Sequence, residues 1–437
     1  MKQNFQVHGD HTDERNAQEF PDLTGSGAPP KFSVTLLTGG IDRPYVYGLT
    51  KALSSMGVAL DLIGSDELDE PDLRSRSGVN FLNLRGDLRP NADLIAKIFR
   101  ILAYYSRLIR YAATSKPRIF HILWNNKFEI FDRTLLMLYY KLLGKTVVLT
   151  AHNVNKRRRD SKDTLLNRFT LRIQYRLADH VFVHTAKMKD ELMEQFSVPT
   201  GRITVIPFGI NNSVPDTGLS SREAKKRLGI RENQKTILFF GRIKPYKGLQ
   251  YLITAFRLLV PRHDDYKLII AGRLEEGCER YWESMQREIQ EYVETGRVIS
   301  RVEFIPDSEA EVYFKGADVL ALPYTEIFQS GVIFLGYNFG LPVVAADVGS
   351  LKEEIAVGTT GFVFRPEDPI DLARAIEEYF ASDLFADLEK RRQEIRDFAT
   401  ERHSWELVSE LTMGIYAGLL RSQAGNSHDV SSLSPSD

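Results

Sequence analysis

Arg242 and Lys247 stand five residues apart in Gly241-Arg242-Ile243-Lys244-Pro245-Tyr246-Lys247-Gly248, directly after the apolar run 235–240. If that run is a strand of a parallel sheet, Arg242 lies at its carboxyl end and Lys247 at the start of the next helix, where open α/β sheets take their ligands. A planar guanidinium, a point-charge ammonium and the N–H groups of a helix start together suit a diphosphate. An isolated pair at this spacing would read as two solvated surface charges; the whole octet, opened by Gly241, points to an anion site. A second stretch, residues 323–350, reads PYTEIFQSGVIFLGYNFGLPVVAADVGS. Here Ser330, Gly331 and Val332 can turn successive amides toward an anion before a helix begins. Glu326 stands just ahead of them, as a cleft acid or as an ordinary exposed loop acid. A third stretch, Thr150-Ala151-His152-Asn153, closes an apolar run and puts His152 at a strand's carboxyl end. A lone histidine serves structure more often than chemistry, so both readings stand for His152, while His121, inside the preceding apolar run, reads as core.

Other chemistries find less support. No Asp-x-Asp pair is present to hold a metal, and the single Cys278 excludes both an internal disulfide and a paired-thiolate metal site. That cysteine usage fits a reducing, cytoplasmic compartment. Residues 1–30 lack the apolar core of a signal peptide. The uncharged run 327–346 is long enough to span a bilayer, but its glycines, Pro342, Gln329 and Asn338 point to buried strand and loop instead.

The elements that must position these residues follow from periodicity. A chain of 437 residues exceeds what one core usually holds, so two domains are expected. Short β-branched runs at 31–40, 58–65, 79–84, 118–123, 145–151, 180–185 and 202–207 alternate with helical spacing, including a long helix at 92–115. After a turn-rich linker at 211–219 the pattern restarts, with strands expected at 235–241, 266–272, 301–305, 319–322 and 343–346. The expected fold is therefore α/β, with two tandem Rossmann-like domains facing across a cleft. The expected divisions are a disordered tail at 1–30, a first domain at 31–210, the linker, a second domain at 220–404, a last helix at 405–421 able to cross back to the first domain, and a disordered tail at 422–437.

In that order and spacing, FFGRIKPYKGLQYLITAF, ALPYTEIFQSG and FGLPVVAADVGSLKEEI resemble the donor-binding domain of GT-B glycosyltransferases of the large retaining family 4. The likeness extends more loosely over about residues 32–421, through Gly39-Gly40 and the final helix. It implies a nucleotide-sugar in the interdomain cleft as co-substrate, with no cofactor and no metal. Arg242 and Lys247 would bind its diphosphate and stabilise the charge of the departing nucleotide. Gly241 and the amides of Ser330, Gly331 and Val332 would complete the donor site, Gly40 would allow close backbone approach, and His152 would stand beside the sugar. A retaining, same-face reaction follows from the family, since no first-domain carboxylate stands out as a nucleophile. One departure concerns the family's two glutamates with seven residues between them: counting back from Gly340 gives Ile327 and Leu335, and the shifted register gives Glu326 and Phe334. The second acid, which usually binds the ribose, is missing in either register. The ribose is then held differently or nucleotide binding is lost, and the retained cations favour the former.

Charge is divided along the chain. Residues 85–176 carry 20 Lys and Arg against 6 Asp and Glu, although the whole chain has a net charge of −1. Arg100, Arg107 and Arg110 alternate with apolar residues in the long helix, and Lys156, Arg157, Arg158 and Arg159 form a cluster just after His152. Such a pattern reads as a membrane-surface element on the inner face of an anionic bilayer, or as a helix with one solvated face. No nucleic-acid-binding motif is present. These observations favour transfer of a sugar from a nucleotide diphosphate sugar to a glycan or lipid-linked acceptor, in polysaccharide or cell-envelope assembly. The alternatives are a noncatalytic GT-B binding or scaffold protein and a sugar-nucleotide epimerase of the same fold.

Overall fold

The computed structural model describes residues 32–39, 42–87, 93–126, 128–159, 163–210 and 214–431. Strands β1 (Ser33–Leu37), β2 (Ala59–Gly64), β3 (Val79–Asn83), β4 (Ile119–Ile122), β5 (Thr146–Thr150), β6 (His180–Val183) and β7 (Ile203–Val205) form one parallel sheet in the order β3-β2-β1-β4-β5-β6-β7. A second parallel sheet takes β8 (Lys235–Phe240), β9 (Tyr266–Ala271), β10 (Val298–Arg301), β11 (Val319–Leu322), β12 (Val343–Ala346) and β13 (Gly361–Phe364), in the order β10-β9-β8-β11-β12-β13. Helices cover both faces, so central strands such as β4, β5, β11 and β12 are buried along their whole length. This is why they appear in the sequence as unbroken apolar runs rather than alternations.

Each sheet reverses its strand order once, between β1 and β4 and between β8 and β11. The loops leaving the carboxyl ends of those strands diverge there and leave a crevice. Gly39 and Trp124 flank the first reversal; the Gly241–Gly248 loop and the segment after Leu322 flank the second.

The expected tenth strand is displaced. Residues 301–305 do not form it; Val298 pairs with Leu268 and the strand ends at Arg301, because the buried apolar residue that meets β9 is Val298 while Phe304 is exposed. β13 is a four-residue strand behind a Gly-Thr-Thr-Gly turn, too short to show a period. The uncharged run 327–346 supplies the helix Gly331–Asn338 and β12, and no helix among the described residues is long and apolar enough to cross a membrane.

The last helix, Trp405–Ser431, continues past the expected boundary at residue 421 and returns to the first domain. Its first residue lies against Gly48 of the helix Arg43–Ser55 so closely that a Cβ at Gly48 would sit 2.1 Å from the Trp405 ring. Further on, Tyr416 and His121 share a 2.6 Å hydrogen bond, and Gln423 donates to Thr146 Oγ1 at 2.6 Å. His121 is fully buried, as expected of a core residue.

Burial also sets an acid limit on stability. It pushes His184 down to about 4 and His121 to about 3, so both are neutral in the fold, whereas an unfolded histidine takes a proton near 6.5. The unfolded chain therefore binds more protons below about pH 6.5. This part of the stability is complete above that value and is lost as the pH falls toward about 4, where His184 charges within the fold. Thermal melts are expected to share one midpoint from about pH 7.5 to 6.5 and to drop steeply between about 6.5 and 4. A flat profile across that window would contradict the buried-neutral assignment.

Candidate active site between the two domains

The second domain builds a cation-lined seam. Gly241 has φ +109°, a conformation that suits glycine, and its Cβ position lies 3.5 Å from Val332. The end of β8 therefore touches the start of the helix Gly331–Asn338. Seven residues later the loop meets the same wall: Gly248 is left-handed at φ +67°, with its Cβ position 1.7 Å from the Pro323 carbonyl oxygen. The Thr325 N–H donates to the Tyr246 carbonyl at 2.9 Å. Lys247 is buried with its ammonium 3.8 Å from the centre of the Tyr324 ring, and Tyr324 Oη lies 3.2 Å from Ser330 Oγ, the N-cap residue of that helix. Arg242 remains 61% exposed and forms an ion pair with Glu275 at 3.5 Å. Burial raises the Glu275 carboxyl, but the bond from Lys244 and the charges of Lys244, Arg242 and Arg273 outweigh it, so the acid is held below its ordinary range. Arg242, Lys247, Ser330, Gly331 and Val332 thus belong to one assembly, and the exposed Gly331 opens a helix start beside two cations.

The first domain presents an aromatic nest. His152 stacks on Trp124 at 4.0 Å and nearly parallel, with the rings of Tyr45, His184 and Phe208 around it. Burial first, then the neighbouring histidines, hold it well below the usual histidine range, so it is neutral. Its tautomer follows from its partners. His184 Nδ1 lies 3.2 Å from the Ile206 carbonyl, which only accepts, so the proton is on that nitrogen. The bare Nε2 of His184 must then accept from His152 Nδ1 at 2.9 Å, which leaves His152 Nε2 unprotonated. That atom has no hydrogen-bond partner among the described residues. The surrounding rings shut that atom off from solvent, so a hydroxyl can reach it only if they move apart. His184→Phe is expected to lower kcat/KM roughly tenfold, about the value of one hydrogen bond. The NMR tautomer signature of His152 should change with it; unchanged kinetics would remove His184 from the account.

Between the domains lies a cavity of about 540 Å³, lined by Asn155, Lys187, Asp190 and Glu194 of the first domain and by Glu326 and Asp347 of the second. Glu326 is exposed and faces this space. Leu335 and Phe334, which occupy the place of the missing second acid, are both in the core, and Phe334 stacks on Phe208 at 5.6 Å. Apolar packing across the domain boundary fills this place.

Gly40 lies outside the described residues, and so do the side chains of Arg158 and Arg159. One cation of the expected patch turns inward: Arg100, half-buried, donates to the Asp87 carbonyl at 2.8 Å, whereas Arg107 stays exposed while donating to the Leu84 carbonyl at 3.2 Å. Arg110, Lys156 and Arg157 are exposed. Several residues of the site were missed. Asp42 caps the helix Arg43–Ser55; burial raises its carboxyl against the Tyr45 N–H and the charge of Arg242, so it faces the second domain's cation. An Asp just before Arg43-Pro44 was a readable helix start. Trp124 and His184 follow β4 and β6 as His152 follows β5, so the strand-end rule would have found them.

Two doubly wound parallel sheets meeting at the carboxyl ends of their strands, with the last helix returned to the first, define the GT-B class of fold. Residues 38–214 match the family described as Glycosyltransferase Family 4 and residues 220–402 match Glycosyl transferases group 1. The two matches lie end to end over most of the chain, which belongs to the GT-B glycosyltransferases of family 4. An uncharacterized glycosyltransferase of Methanocaldococcus jannaschii is 26% identical over 243 residues, 54% of this chain and 59% of that protein. A D-inositol 3-phosphate glycosyltransferase of Corynebacterium aurimucosum is 28% identical over 299 residues, 64% of this chain and 68% of that one. Among solved structures, sucrose-phosphate synthase of Thermosynechococcus elongatus superposes with a TM-score of 0.70 at 18% identity, covering 90% of this chain and 100% of its own. Anabaena HepE in complex with UDP and glucose gives 0.65 at 16% identity, with the same coverage.

Proposed function

We propose that the protein transfers a sugar from a nucleotide diphosphate sugar to a hydroxyl of a glycan or lipid-linked acceptor, with retention and without a metal. The observation that carries this reading is the seam at the second sheet's reversal point, where Arg242, the buried Lys247 and the start of the helix Gly331–Asn338 meet. Fixed cations and helix N–H groups are the donors that stabilise a departing diphosphate, and they need no reorganisation as charge develops. The complex of Anabaena HepE with UDP and glucose supports a nucleotide sugar as donor. On the acceptor side, Asp190, Glu194, Glu326 and Asp347 offer carboxylate oxygens to hydroxyl donors, which suits a glycan. With Leu335 and Phe334 in the core, the nucleoside is held by groups other than a second glutamate, and the leaving phosphate takes the acceptor's proton on the same face.

The test is incubation with radiolabelled UDP-, GDP-, ADP- and dTDP-sugars, with and without a glycan or lipid-linked acceptor extract. The expected result is acceptor-dependent movement of label from one nucleotide sugar into the acceptor, with release of nucleoside diphosphate. Acceptor-independent release of nucleotide would identify an epimerase instead, and no turnover with any donor would favour a binding protein.

A further inference from the structure

The first domain exposes an apolar face that the transfer chemistry does not use. Ile95, Ile98, Phe99 and Leu102 of the helix Leu94–Thr114 are 49–68% exposed, on the side away from buried Tyr104, Tyr105 and Leu108. Leu135, Leu138 and Leu142, spaced by three and four residues, are 46–77% exposed on the segment that ends in the helix Met137–Leu142. Leu165, Leu166 and Phe169, at the start of the helix Leu165–Leu177, are 55–84% exposed. Their buried sides share one core with β4, β5 and β6, so the three elements lie in one layer with their apolar stripes turned outward. Hydrogen bonds fix them side by side: Tyr105 donates to Asp132 at 2.8 Å, Tyr139 to the Ile109 carbonyl at 3.2 Å and Arg133 to Asn167 at 2.9 Å. Scattered exposed leucines are ordinary, but a continuous apolar face of three helices marks a docking surface.

Charge chooses the occupant. Exposed Arg110, Lys156, Arg157, Arg172 and Arg176 border the stripes, whereas the three elements carry only two acids, Glu129 paired with Arg133 and Arg157 and the buried Asp132. A second copy docked face to face would set these cations against their own kind. A bilayer with anionic headgroups accepts both the apolar side chains and the positive border. We infer that this face of the first domain docks on an anionic lipid bilayer. The position serves the site, because Asn167 donates to Asn155 at 2.9 Å and Asn155 lines the interdomain cavity. The docked face therefore brings a lipid-linked acceptor's headgroup to the rim of the cleft; that last step rests on the proposed transfer reaction, whereas the docking does not.

The test is flotation of the full chain with phosphatidylcholine vesicles, with and without phosphatidylglycerol, at low and high salt. The triple variant Phe99→Ser/Leu142→Ser/Phe169→Ser changes one exposed residue on each element. Co-flotation is expected only with the anionic vesicles, weakening with salt and falling about tenfold or more in the triple variant. The variant's melting midpoint should be unchanged. The inference is overturned if the wild type stays behind with anionic vesicles, or if the triple variant floats equally well. It is also overturned if light scattering shows a dimer without vesicles that the triple variant dissolves, which would make the face an interface between copies. Flotation requires neither donor nor acceptor, so docking without nucleotide binding would sink the transferase reading alone.

Discussion

Lys247→Met is expected to lower kcat by about a hundred- to a thousandfold, the usual cost of removing one donor aimed at developing charge. The methionine keeps most of the stem that lies over Tyr324, so the loss reports the ammonium rather than a collapsed loop. Arg242→Ala should fall in the same range with little effect on folding, since the side chain is 61% exposed. Both losses should appear mainly in kcat, because the diphosphate carries more charge in the transition state than in the bound donor. A variant that raises KM at constant kcat would show instead that the cation binds ground state and transition state alike.

Gly248→Ala carries the second large effect, this time through the backbone. A left-handed alanine costs about 1–2 kcal/mol wherever it stands. At Gly248 the new methyl would also meet the Pro323 carbonyl oxygen at 1.7 Å, so the two loops of the proposed donor seam would have to part to admit it. A total loss of about 3 kcal/mol or more is expected in urea titration, together with weaker nucleotide binding. Gly229→Ala is the control: its φ is +70° and its Cβ position has open space, so only the backbone cost of about 1 kcal/mol remains. Equal midpoints for the two variants would remove the contact with Pro323 from the account.

Both effects were legible to different depths. The cations Arg242 and Lys247 and the turn at Ser330-Gly331 could be read because strand-end loops in parallel sheets are ligand loops, and the apolar runs β8 and β11 locate those ends. The contact that joins them could not, since Gly248 and Pro323 are far apart in sequence and no local period records which loop meets which. The same limit hid Asp42, which faces Arg242 across the domain boundary, and the imidazole chain from Ile206 through His184 to His152. β10 was misplaced because Phe304 and Ile305 are apolar without being paired, whereas Val298 meets β9. Of the basic residues picked out in the sequence, Arg107, Arg110, Lys156 and Arg157 are exposed, whereas Arg100 is half-buried against a carbonyl of the loop after β3. The basic patch's more informative partner, the outward leucines and phenylalanines, was present in the helical spacing, which alone does not say which of two apolar stripes faces the core.

The proposed transfer depends on a nucleoside diphosphate held at the seam of Arg242, Lys247 and the helix start at Gly331. Calorimetric titration of UDP, GDP, ADP and dTDP into the wild type and into Lys247→Met tests it most directly. Saturable binding of at least one of the four to the wild type is expected, with at least about a tenfold weaker affinity in the variant, the loss of one charge-assisted contact. No binding of any of the four to the wild type, or equal affinity in both proteins, would contradict it.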